Sequence, residues 1–190
     1  LKLLQENKTK HELKLYAFCL MPNHVHLIVE PSYKDSLALT IGRTHQQFST
    51  YMHRKNELSG HLWQERFYSC LLLGGHVVNA LRYVDRNPVR ANLVEKPWDY
   101  VWSSARAHLG LEYKIINLER IESRIGKLDW KEFIEENEDE EELRQIRLRT
   151  NRGSIYGPQD KIQEIELKLG KKSPVPPPEE DPEKIIGNNW

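Results

Sequence analysis

The sequence contains no apolar run approaching the roughly 20 residues that a membrane-spanning helix needs, and no signal peptide is visible at its start. Cysteine is scarce: Cys19 and Cys70 are the two present, both in apolar, strand-like surroundings. That is too few for a disulfide framework, so buried thiols and a cytoplasmic protein are the expectation. Net charge is absent too, with 28 Lys and Arg against 28 Asp and Glu, and no internal repeat is visible. The balance hides an uneven spread. Residues 1–110 carry 14 Lys/Arg against 9 Asp/Glu, an excess of +5, while residues 111–190 carry 14 against 19, or −5. All eight histidines fall in the first part. This pattern points to a basic working surface followed by an acidic extension, although +5 alone does not establish a nucleic-acid partner.

The informative stretch is Met21-Pro22-Asn23-His24-Val25-His26-Leu27-Ile28-Val29-Glu30-Pro31. A tight turn leads into a strand of β-branched and apolar residues that a second proline ends. Side chains alternate along a strand, so His24 and His26 share one face and Val25, Leu27 and Val29 the other. Two imidazoles so placed, about 6–7 Å apart along the strand, suit one metal ion. Surface or hydrogen-bonded histidines would give the same spacing, and the motif alone leaves both open.

Around it the chain reads as strand–strand–helix–strand–helix. Leu1–Glu6 looks like the end of an amphipathic helix. Residues 13–20 read as a strand that pairs with the histidine strand as an antiparallel hairpin. A helix capped by Asp35 is expected from Ser36 to about Glu57, with Leu37, Leu39, Ile41, Phe48, Tyr51 and Met52 at roughly helical spacing. A third strand is expected at 67–73, ended by Gly74-Gly75. The helix that follows carries Val77, Ala80, Leu81 and Val84 on its apolar face and should be disturbed at Asn87-Pro88. The aromatic turn at 97–104 either packs on the core or stacks bases. Beyond residue 110, 130–149 has helical propensity, the acidic run 135–142 is expected to be solvated, and 160–169 should form a short helix stopped by Gly170. The segment from Ser173 reads as an extended or disordered tail.

A second constellation lies at Leu81-Arg82-Tyr83-Val84-Asp85-Arg86-Asn87-Pro88-Val89-Arg90-Ala91. Tyr83 and Asn87 are four residues apart, about 40° on one helical face. A phenol beside an amide can set a nucleophile next to a metal ligand, or can simply be a half-buried packing tyrosine. Candidate phosphate contacts are Arg43, Arg54, Lys55, Arg66, Arg82, Arg86 and Arg90, each equally readable as a solvated charge. Trp63 either stacks an unpaired base or packs under the strand.

MPNHVHLIVEP, GHLWQERFYS and LRYVDRNPVRANLVEKPWDYVWSSA, in that order, resemble the single-tyrosine HUH transposases, and within them the branch of REP-associated tyrosine transposases. The resemblance spans roughly residues 1–110. It implies metal-dependent nicking and joining of single-stranded or hairpin DNA, a DNA recombination and transposition activity on repeated palindromic elements. His24 and His26 match the HUH pair, Tyr83 matches the nucleophile, and Asn87 stands where the family places a polar third ligand. Imidazoles suit transition metals at least as well as Mg²⁺, so Mg²⁺ or Mn²⁺ is implied by the resemblance alone. The implied fold is α+β, a ferredoxin-like sandwich of an antiparallel sheet with two helices on one face. Its first strand is not found, which leads to the expectation of an N-terminally truncated transposase domain at 1–110. An acidic helical extension at 111–172 and a Pro-rich tail at 173–190 complete the expected division. Monomer and dimer both stay open. The competing readings are a non-catalytic DNA-binding protein of the same fold and a small metal hydrolase that does not act on nucleic acid.

Overall fold

The computed structural model describes residues 1–57, 59–63, 67–111 and 115–170. In chain order its elements are α1 (Lys2–Lys10), β1 (Leu13–Leu20), β2 (Val25–Pro31), α2 (Ser36–Asn56), β3 (Leu71–Leu72) and α3 (His76–Arg90). A 3₁₀ turn at Pro97–Asp99 follows, then α4 (Ala105–His108), α5 (Glu122–Ile125), α6 (Trp130–Glu135), α7 (Glu140–Asn151), β4 (Ile155–Tyr156) and α8 (Gln159–Leu169). The architecture is α+β with a helical C-terminal part. The expected Pro-rich tail lies outside the described residues.

β1 and β2 form the antiparallel hairpin, in register from Leu13 opposite Pro31 to Leu20 opposite Val25, with an irregularity between Leu15 and Ala17. Strand alternation gives the hairpin two apolar faces, and each is covered. Leu15, Phe18, Leu27 and Val29 pack with Leu4 of α1 and with Leu37 and Ile41 of α2. Ala17, Cys19 and Ile28 pack on the opposite face with Leu81 and Val84 of α3, and with Ile121, Trp130 and Ile134 from further along the chain. Thus α1 and α2 share one face, and α3, backed by residues of the later helices, covers the face from which His26 projects. The outer edge of β1 is not left open: Leu20 N donates to Trp102 O (2.9 Å), Ser104 N to Phe18 O (2.9 Å) and Glu119 N to Leu15 O (2.8 Å). Such cover satisfies donors and acceptors that an edge strand otherwise exposes.

Several local expectations are corrected. α1 runs on to Lys10 rather than ending near Glu6, because Leu4 and Asn7 are buried against α2, where the Asn7 amide donates to Gln47 Oε1 (2.7 Å). Asp35 does not cap α2; it is already in the helical region, and Ser36 Oγ instead accepts from Tyr33 N (3.1 Å). Of the apolar positions on α2, Leu39, Phe48 and Tyr51 are exposed. The strand expected at 67–73 shrinks to Leu71–Leu72, which pairs in parallel with β4, not with the hairpin. Its partner is over 80 residues away, so local sequence carries no sign of it. α3 continues through Pro88 to Arg90. Proline in the last turn removes one amide donor, and full burial of its ring offsets that loss. The helix expected over 130–149 is two helices, α6 and α7, parted by residues 136–139, with Asp139 Oδ1 accepting from Glu142 N (3.0 Å) as the cap of α7. α8 ends as the sequence leads one to expect, at Gly170 with φ 61°.

Candidate active site

The turn Met21–Asn23 and the alternation of β2 bring His24 and His26 to one side of the hairpin, their ring centroids 4.7 Å apart and nearly perpendicular. α3 then sets Tyr83 against them: its ring meets His26 edge to face at 5.6 Å. The helix is held in that position from both sides. Leu81 and Val84 anchor it in the core, while Asp85, fully buried, accepts from Ser104 Oγ (2.7 Å), His108 Nδ1 (2.7 Å) and Trp130 Nε1 (3.1 Å). His108 Nε2 completes the link by donating to Tyr16 O on β1 (2.8 Å). Asp85, His108 and Trp130 were not marked out by the sequence. The one available signal was an aspartate amid the apolar positions of a helix, which must find donors if it is buried.

Burial, together with the His24 and Arg90 charges, holds the His26 pKa down at about 3. Burial lowers that of His24 as well. Both rings are therefore neutral near pH 7, the form that binds a metal. Asn23 Oδ1 lies 2.8 Å from His24 Nδ1. With the amide oxygen facing the ring, Nδ1 would carry the hydrogen and Nε2 would keep its lone pair. Asn87, one turn on from Tyr83, is 7% exposed, and its Nδ2 finds no hydrogen-bond partner among the described residues. Amide oxygen and nitrogen exchange places on a flip, so the unpartnered position can equally hold the amide oxygen, the atom able to ligate a cation. Among the described residues no group of three His, Cys, Asp or Glu is placed to hold a metal ion. A site built on the two imidazoles thus needs ligands of another kind, and the Asn87 amide is of that kind. By donor type alone, two imidazoles and an amide oxygen suit a divalent cation.

The basic residues divide sharply. On α3, Arg82 donates to the carbonyls of Glu136 (2.8 Å) and Asn137 (2.9 Å), and its guanidinium stacks on Phe133 at 4.4 Å. Arg86 and Arg90 share the Glu138 carboxylate at 2.8 and 2.6 Å, and Arg86 also bonds the Ile134 carbonyl. The acidic run, expected to be solvated, therefore includes a Glu138 side chain that is only 7% exposed. On α2, by contrast, Arg43, Arg54 and Lys55 are exposed, and residues 36–56 include no Asp or Glu. Trp63 packs on α2: its ring stacks on His45 at 3.9 Å and its Nε1 donates to His45 O (3.2 Å). In the aromatic turn, Trp98 and Tyr100 pack on the core and Trp102 is exposed. Arg66 lies outside the described residues.

No described helix is long and apolar enough to cross a membrane. No curated protein and no solved structure gives a significant match to the chain. Residues 1–87 match the family model described as "Transposase IS200 like". That span contains His24, His26, Tyr83 and Asn87, so the match and the side-chain cluster fall on the same part of the chain, and together they support a transposase family and DNA processing of the transposase type.

Proposed function

We propose that this chain is a single-tyrosine HUH transposase of the REP-associated kind, which nicks and rejoins single-stranded or hairpin DNA through a 5′-phosphotyrosine. The observation that carries the reading is the meeting of His24, His26 and Tyr83, with ring centroids 4.7 and 5.6 Å apart. No local pattern requires a tyrosine from α3 to lie against a β2 histidine that has a second imidazole beside it.

His24, His26 and Asn87 would hold a divalent ion, Mg²⁺ or Mn²⁺, which when bound supplies charge withdrawal at the scissile phosphate. Tyr83 Oη adds its lone pair to phosphorus, and the P–O3′ bond breaks with its electrons going to the 3′ oxygen. The phenol gives up one proton and the 3′ oxygen gains one, so the products are a phosphotyrosine and a 3′ hydroxyl. Attack by a 3′ hydroxyl in the reverse sense rejoins the strand. The apolar packing of α3 on the hairpin fixes the phenol for that attack, which is where much of the barrier reduction in such a displacement arises.

Strand binding is best supported on α2. Arg43, Arg54 and Lys55 meet no ion-pair partner among the described residues, whereas the α3 arginines are engaged within the protein. A groove there is lined by Gln46, Gln47, Thr50, Tyr51, Arg54 and Lys55. Tyr51 is 54% exposed, with Lys55 Nζ 5.8 Å from its ring centre. Cations beside an open aromatic ring suit a backbone phosphate and a stacked base.

The test is a denaturation-resistant adduct between the protein and a labelled hairpin in Mn²⁺. Tyr83→Phe keeps the ring and removes the attacking oxygen. It should bind the hairpin about as well as the parent and form no adduct. An adduct that survives in the Phe variant refutes the assignment. Hairpin binding with no adduct from the parent, whatever the metal, leaves the non-catalytic DNA-binding protein as the reading.

A further inference from the structure

Arg82, Arg86 and Arg90 recur every four residues and so form one stripe along α3. All three turn to the segment between α6 and α7, which lies beyond the family match. Arg90 does more than pair with Glu138. Its guanidinium lies 4.0 Å from the Tyr83 ring centre and donates to the Tyr83 carbonyl. Glu138 is itself fixed: it bonds Arg86 at 2.8 Å, Arg82 grips the preceding carbonyls, Ile134 sits in the core and Asp139 caps α7. A long, flexible arginine side chain is thereby held in one place, with its guanidinium over the phenol ring.

We propose that Arg90, held by Glu138, is a positioning residue for Tyr83, confining the phenol to the orientation that faces His26. The inference rests on Tyr83 being the nucleophile. An unrestrained tyrosine spreads over several rotamers, and reaction rate falls steeply with misplacement of the attacking atom. Here His26 limits the ring on one side and the Arg90 guanidinium on another. A guanidinium can stack and bond at once; an ammonium has no plane to stack. The C-terminal segment thus contributes to the site through Glu138.

Arg90→Lys keeps a cation beside the Glu138 carboxylate, so the buried acid stays paired, but loses the stacking plane. Arg86→Lys perturbs the same carboxylate without reaching Tyr83 and serves as the control. Hairpin dissociation constant, first-order adduct rate at saturating DNA, and thermal midpoint are measured for each. Arg90→Lys should slow adduct formation about 10–100-fold with hairpin affinity changed less than about threefold. Arg86→Lys should leave the rate near that of the parent even where its midpoint falls as far. Glu138→Gln, compared on folded protein, should also lower the rate more than the affinity. Equal rates in Arg90→Lys and the parent would overturn the proposal, as would equal slowing by both lysine variants, the mark of a merely structural network. A parent that forms no adduct removes the nucleophile reading itself, and the positioning role with it; that result is distinct from a parent that reacts and an Arg90→Lys that reacts equally fast.

Discussion

Asp85→Asn offers the sharpest test of how the tyrosine helix is held. The carboxylate is fully buried and takes three donors, from Ser104, His108 and Trp130. Both nitrogens of His108 face acceptors, Asp85 Oδ2 at 2.7 Å and Tyr16 O at 2.8 Å, so both carry hydrogen and the ring is an imidazolium. Burial pushes its pKa down. The Asp85 charge and hydrogen bond and the Tyr16 carbonyl outweigh that, and the net shift is upward. Asparagine retains the shape of the side chain, but it strips the anion from a buried cation and places amide hydrogens among donors. Removing one partner of a buried ion pair costs about 3–5 kcal/mol, against a total stability of about 5–15 kcal/mol for a domain. The variant should therefore unfold at a much lower urea concentration with an unchanged slope.

The same pair makes a pH prediction with a definite sign. Below the unfolded histidine pKa of about 6.5, folded and unfolded states both bind the His108 proton, and the stabilisation is present in full. As pH rises from there through the raised folded pKa, the unfolded state has released a proton that the folded state keeps, so stability falls. His26 acts in the opposite range: held neutral down to about pH 3, it costs stability as pH drops below about 6.5. Urea midpoints at pH 6.5, 7.5 and 8.5 should decline for the parent. The decline attributable to His108 should be missing in Asp85→Asn. Stability within about 1 kcal/mol of the parent, or an identical pH slope in the two proteins, would refute the account of the pair.

Two further outcomes follow from the site and the α2 surface. Replacing His24 and His26 together with alanine should abolish Mn²⁺ binding by calorimetry while the far-ultraviolet spectrum stays that of the parent; retained stoichiometric binding would place the metal elsewhere. Arg54→Gln with Lys55→Gln removes two exposed cations, and if both meet phosphates the slope of log K against log salt for single-stranded DNA should fall by about 1.4, or about 0.7 for each. An unchanged slope would move the strand off α2.

The parts of the fold that were legible in the sequence are those with a strong local period. The hairpin was visible because β-branched alternation and a Pro-Asn turn act on neighbouring residues, and α3 because its apolar positions recur at helical spacing. What the sequence did not show has one cause, contacts between distant residues. Leu71–Leu72 pairs with Ile155–Tyr156, and no property of either segment announces the other. Asp85 lies 23 residues from His108 and 45 from Trp130; read along the chain it is one more charge in a helix.

Glu138 makes the point most fully. Within a run of acids its neighbours are interchangeable by composition, and exposure is the ordinary expectation for such a run. What separates it from Glu140 is a partner set, two arginines on a helix 48–52 residues earlier. A pairing cue was nonetheless present. Three arginines spaced by four, on a helix with an apolar opposite face, require anions or carbonyls if that stripe is covered. The chain offers a dense supply of both at 134–142. Strong attraction between the two makes them compete with phosphate for the same guanidiniums, so the count of basic residues in the first 110 overstates what is open to DNA. Once the α3 arginines are committed, α2 keeps an exposed positive surface, where the chain places no carboxylate for 21 residues.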